Sequence, residues 1–129
     1  MTHKFPLRVY YEDTDLAGIV YYANYMKFIE RARTEWVRGL GIDQTALKDD
    51  EGIVFAVRRV EADYLSSARF DDELIVETSP ILVTGARIVL QQDVKRDEEV
   101  LFSSQVTLVA LSDTGQAVRL PSNLRLMLH

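Results

Sequence analysis

A single stretch of this chain carries a sustained helical period, and the residues after it leave few ways to pack a helix. Between residues 24 and 40 the apolar side chains Tyr25, Phe28, Ile29, Ala32, Trp36 and Leu40 recur at steps of three and four, while Lys27, Arg31, Thr34 and Arg38 take the other face. Asn24 is placed to cap the start by accepting a backbone N–H, and Gly39 or Gly41 to end it in a left-handed conformation. From Gly52 onward β-branched and aromatic residues dominate, so strands are expected at 53–64, 73–82, 86–96, 100–111 and 119–128, with a further short one at 5–11. The connections Phe70-Asp71-Asp72, Thr84-Gly85, Asp97-Glu98-Glu99 and Asp113-Thr114-Gly115 are too short for parallel crossovers, so neighbouring strands should run antiparallel. The expected fold class is therefore α+β, one long helix buried lengthwise in a curled antiparallel sheet of five to six strands. With no repeat, linker or low-complexity segment, residues 1–129 are read as a single domain.

Composition removes most reaction chemistries. The chain has no Cys, which excludes a disulfide framework, a thiolate zinc site and a cysteine nucleophile. Its two histidines, His3 and His129, sit at the ends, which argues against a Ser-His-Asp triad and against a histidine metal site. Gly39-Leu40-Gly41 has Gln44 where a dinucleotide fingerprint needs its third glycine, and no Gly-Lys-Ser/Thr occurs, so no nucleotide cofactor is expected. Neither a leader nor an apolar run long enough to span a membrane is visible, giving a cytoplasmic expectation. A net charge of -5 without a basic block argues against nucleic-acid binding, so an anionic partner would need a local cationic patch.

What remains is an acidic cluster, Glu12, Asp13 and Asp15, just before the helix. Three acids in so short a run repel one another, and a solvated acidic loop is the plainer account of them. Beside them, however, the first helical turn offers unsatisfied N–H groups and about half a positive charge, a suitable place for an oxyanion. A carboxylate facing such a helix end suggests acyl transfer to water, with the acid as nucleophile or general base. Glu30 is a rival acid on the helix, although its spacing to Arg33 and Thr34 favours a local pair. Tyr21, Tyr22 and Tyr25 are candidates for lining an acyl pocket, against the alternative of core tyrosines with satisfied hydroxyls.

At these residues the sequence resembles the hotdog-fold acyl-CoA thioesterases, specifically the YbgC-like and 4-hydroxybenzoyl-CoA thioesterase group. The run from Tyr11 to Tyr25, the helix segment from Phe28 to Trp36, the later Ser67-Ala68-Arg69-Phe70-Asp71-Asp72 and the closing Leu120-Pro121 carry the resemblance over nearly the whole chain. It implies a hotdog fold and hydrolysis of an acyl-CoA thioester to free acid and CoA. By the same match the catalytic aspartate falls on Asp15, the oxyanion donor on the main-chain N–H of Tyr22, and Asp13 is a structural acid. The acyl group is then expected between the helix start of one subunit and the sheet of its partner, with Val20, Tyr21 and Tyr25 among its lining. The group often has a histidine where this chain has Tyr22, a change that spares the main-chain donor.

The resemblance implies no cofactor, since coenzyme A is part of the substrate, and a homo-oligomer, dimer or tetramer. Exposed sheet edges independently favour pairing of copies. For the CoA phosphates, Arg58, Arg59, Arg69, Arg87 and Lys95-Arg96 are the available cations, with Arg87 first, because Gly85-Ala86 beside it would let backbone approach the pantetheine arm, and Arg59 second. Ser66 and Ser67 are candidates for bonding its amides. Aromatic crowding at the helix start favours short-chain or aromatic acyl groups. The competing readings are a hotdog dehydratase, which lacks its histidine here, and a non-catalytic acyl-CoA or acyl-carrier-protein binding module. A binder would have no use for a desolvated acid at Asp15.

Overall fold

The computed structural model describes residues 2–122 and 125. In chain order they form β1 (His3–Arg8), a short 3-10 turn (Tyr11–Asp13), α1 (Asn24–Gly39), α2 (Gln44–Glu51), β2 (Val54–Tyr64), β3 (Glu73–Val83), β4 (Arg87–Arg96), β5 (Glu99–Leu111) and β6 (Ala117–Val118). The strands make one antiparallel sheet in the order β1-β3-β4-β5-β2, with β6 beside β5. Among the described residues no helix is long and apolar enough to cross a membrane.

Helix α1 exists because its apolar stripe has a sheet to cover. Tyr25, Phe28, Ile29, Ala32, Trp36 and Val37 are buried, against inward residues such as Leu74 and Val76 of β3, Leu90 and Val94 of β4 and Phe102 and Val106 of β5. Each such aliphatic or aromatic side chain stabilises the fold by about 1.5–3 kcal/mol when fully removed from water. Most outward positions in the middle of the same strands are polar, alternating with the buried ones: Lys95 pairs with Glu77 at 3.2 Å, and Asp93 accepts from Ser103 and Gln91. The helix end falls where the glycines suggested, with Gly41 at φ 82° and its N–H donating to Arg38 O.

Several expectations need correction. β2 and β3 are antiparallel in direction but do not pair, because β4 and β5 lie between them. Three strand spacings are about 14 Å, and residues 65–72 reach that easily at about 3.3 Å per residue. A second helix, α2, was not foreseen; Asp43 caps it by accepting from Ala46 N at 3.0 Å and left-handed Gly52 ends it. Strand β1 stops at Arg8, because the 3-10 turn at Tyr11–Asp13 bends the chain away from the sheet. The C-terminal strand expected at 119–128 is only the two-residue β6, ahead of it; Leu120, Pro121 and Ser122 are not strand, and residues 123, 124 and 126–129 lie outside the described residues.

Candidate active site

The acidic loop is a built turn. After the 3-10 turn, Thr14 pairs with Val20, Asp15 N donates to Ile19 O at 2.9 Å and Gly18 N to Asp15 O at 2.9 Å. Gly18 closes this tight hairpin at φ 78°, a conformation that disfavours any side chain. The two aspartates have different surroundings. Asp13 Oδ2 accepts from Tyr10 N at 2.8 Å, and its carbonyl accepts from Tyr21 N and the Asn24 side-chain amide, both at 2.9 Å. Asp15 is exposed, and among the described residues its carboxylate accepts only from Ala17 N, through Oδ1 at 2.9 Å. Its carboxylate lies close enough to Tyr21 to help raise that phenol's pKa, behind the larger effect of hydrogen bonding to Tyr22.

The helix start is uncapped. Asn24 does not serve as the N-cap, a correction to the sequence expectation: it is the first helical residue and its amide group is directed back to Asp13. Ala23 occupies the cap position and has no side chain able to accept, so no side chain closes this turn. Asn24 N bonds to Tyr21 O at 2.8 Å and Met26 N to Ala23 O at 3.2 Å, while among the described residues the N–H groups of Tyr22 and Ala23 have no acceptor.

Aromatic rings line one side of this turn. Tyr21 and Tyr22 are 45% and 61% exposed with centroids 4.8 Å apart, and Tyr64, from the end of β2, packs edge-on to Tyr22 at 6.2 Å. Tyr64 was not singled out from the sequence, since a tyrosine ending a strand carries no spacing signal. Tyr25 is a core residue: its ring stacks on Phe102 at 5.0 Å and its hydroxyl accepts from Ala68 N at 3.1 Å, with burial raising its pKa. Val20 is buried too, with its N–H bonded to Ala68 O at 2.8 Å. In the single chain the Asp15 side chain and Tyr22 ring face an open surface. A cavity of about 170 Å³ lies farther along α1, between Arg33 and Val37 of the helix and Phe55, Val57 and Leu108 of the sheet.

The segment 65–72 holds the site loop from behind. Ile19 bridges to Arg69, and Asp72 accepts from Arg69 N at 2.8 Å and from Arg96 Nη1 at 2.8 Å. Ser66 and Ser67 enter through main-chain groups, Ser66 N bonding to Leu101 O and Ser67 O accepting from Arg96. The candidate cations divide accordingly. Arg96 is held by Asp72 and Glu99, Lys95 by Glu77, and Arg59 by Glu61 at 3.3 Å, so their charge is matched locally. Arg58, Arg69 and Arg87 are exposed, with no ion pair among the described residues. The space expected beside Gly85 is occupied by the Arg119 guanidinium, which an added Cβ there would strike. Glu30 meets the Thr34 hydroxyl at 3.4 Å, whereas Arg33 donates instead to Gln92. His3 is in β1 opposite Thr78, not in a mobile tail, but stands at the far end of that strand from the acidic loop. No group of three metal-binding side chains occurs among the described residues.

Comparison with known proteins matches residues 17–103 to the thioesterase superfamily. The chain is 41% identical over 128 residues to the acyl-CoA thioesterase YbgC of Haemophilus influenzae, covering 98% of this chain and 93% of that protein. It is 40% identical over 110 residues to the acyl-CoA thioester hydrolase YbgC of Escherichia coli O6:H1, covering 85% of this chain and 81% of that protein. The crystal structure of a probable thioesterase from Bartonella henselae superimposes with a TM-score of 0.90 at 35% identity, covering 94% of this chain and all (100%) of that one.

Proposed function

Because the chain belongs to the thioesterase superfamily, as a YbgC-like thioester hydrolase of the hotdog fold, we propose that it hydrolyses acyl-CoA thioesters with Asp15 as the reacting carboxylate and Tyr22 N–H as oxyanion donor. The observation that carries this reading is the contrast within the acidic loop. Asp13, half-buried, is tied down at its carboxylate by Tyr10 N and at its main-chain carbonyl by Tyr21 N and the Asn24 side chain, while Asp15 is exposed with only Ala17 N on its carboxylate, and just ahead of the helix the N–H groups of Tyr22 and Ala23 lack acceptors among the described residues.

The chemistry suits this sparse set. A thioester carbonyl has little of an ester's resonance stabilisation, and a thiolate leaves without strong protonation, so one carboxylate and one cluster of N–H dipoles suffice. Two routes share these groups. Attack by Asp15 on the carbonyl carbon breaks the C–S bond, releases CoA thiolate and leaves a mixed anhydride for water to cleave; alternatively Asp15 takes a proton from water as water attacks. In both, charge gathers on the carbonyl oxygen, where the uncapped turn is worth most.

The open surface around Asp15 is consistent with a homo-oligomer whose second copy encloses the acyl group, and β2, an edge strand, is the segment we assign to that contact. Tyr21 and Tyr22 favour short-chain or aromatic acyl groups, and Arg87 is the first cation for the CoA phosphates. Asp15→Asn is expected to lower turnover at least about a hundredfold while leaving fold and CoA affinity intact. Free-thiol release over a panel of acyl-CoAs measures it, and equal rates for the two proteins would remove Asp15 from the mechanism.

A further inference from the structure

The carbonyl of Tyr22 is bonded in a way that helix geometry does not provide. In a regular α-helix it would accept from the N–H of Met26. That N–H donates to Ala23 O instead, and Tyr22 O receives the hydroxyl of Tyr64 at 3.1 Å, from a strand 42 residues later in the chain. The peptide one step earlier is held in the same manner, Tyr21 O accepting from Asn24 N at 2.8 Å. Each of the two peptide planes that carries an open N–H, Tyr22 and Ala23, is thus pinned through its carbonyl.

Resting on the reading of this turn as the oxyanion site, we infer that Tyr64 is a positioning residue for hydrolysis, its hydroxyl fixing and polarising the Tyr22–Ala23 peptide. A hydrogen bond accepted at a peptide oxygen strengthens the same peptide's N–H as a donor, because the two dipoles polarise together. The preceding plane, which carries the Tyr22 N–H, is held separately by Asn24 N on Tyr21 O, so with Tyr64 in place neither donor needs rearrangement as charge develops on the substrate oxygen. Tyr64 is itself held in place. Its ring packs edge-on to Phe102 at 5.1 Å and to Tyr25 at 5.7 Å, both in the core, as well as to Tyr22. Burial, and secondarily Tyr22, raise its pKa, which keeps the proton on the oxygen through the neutral range.

The test removes the hydroxyl and keeps the ring. Tyr64→Phe is expected to lower kcat about five- to tenfold, less than the loss of a whole oxyanion donor, with KM within twofold and the melting temperature unchanged. A role in packing alone, which the retained ring still fills, would leave kcat per folded molecule as it was, so a kcat within twofold of wild type overturns the assignment. Asp15→Asn is assayed beside it. Its collapse together with a full kcat for Tyr64→Phe would discard the Tyr64 inference and keep the hydrolase reading, whereas full activity in Asp15→Asn would remove Asp15 from the mechanism and leave the Tyr64 inference to be decided by its own kcat.

Discussion

Gln92 ties the helix to the sheet through a polar link inside an apolar core. Fully buried, it accepts from Arg33 Nη1 at 3.0 Å, donates to Ile29 O and Thr78 Oγ1 at 2.9 Å each, and takes the Ser104 hydroxyl on its main-chain carbonyl at 2.7 Å. Desolvation lowers the Arg33 pKa, the sign of a cation with too little compensation, and the Gln92 oxygen is its hydrogen-bond acceptor among the described residues. Gln92→Leu is therefore expected to cost about 2–3 kcal/mol, the penalty for stranding the Arg33 donor and the acceptors on Ile29 and Thr78. Adding Arg33→Met should recover at least half of that loss, because removing both partners leaves little unsatisfied. Denaturant unfolding of the two variants decides it, and a single variant within about 0.5 kcal/mol of wild type would count Gln92 as mere filler. This link was invisible in the sequence, where Gln92 is one polar letter in a strand and Arg33 looked like a partner for Glu30. Asp15 and the Tyr22 N–H were legible only through the resemblance, since spacing supplied three acids and no means to choose among them.

At the level of elements, the long helix and strands β3, β4 and β5 could be read directly because each buries one face, and burial writes its period into the sequence, while β2, with no buried residue in the single chain, was marked by its β-branched and aromatic content. Helix α2 escaped for the converse reason: it has no buried residue, so no stripe marks it, and only the Asp43 and Gly52 caps announce it. The same fact limits its weight in the fold. Asp43→Ala removes a cap worth about 1 kcal/mol, which should speed amide exchange over residues 44–51 by about fivefold without moving the global unfolding midpoint. Exchange in α2 as slow as in β5 would show that it is locked to the core after all. The crossing of residues 65–72 was hidden too, because short connections were read as hairpins. Its bonds to Leu101 O and Arg96 lie in strand partners that no local pattern names.

The whole molecule leaves β2 as the flank of its sheet, with Val54, Val57, Val60 and Tyr64 exposed along it. Such an edge is a template for another strand unless something covers it. Sedimentation at micromolar concentration is expected to find a dimer or larger species, and Val60→Lys, which sets a charge in the middle of that edge, should shift it to monomer and reduce thioester hydrolysis with it. A monomeric, fully active wild type would overturn this view of the open site. On the inner side of that flank, β5 has a different fate. Its last two residues pair with β2 on one side and with β6 on the other, where β4 no longer reaches. The short β6 thus acts like a shim completing a gap in the row. A strand clasped along both margins offers no loose end at which peeling could start, so thermal disassembly has to begin at the margins of the sheet and reach the ground beneath the helix last.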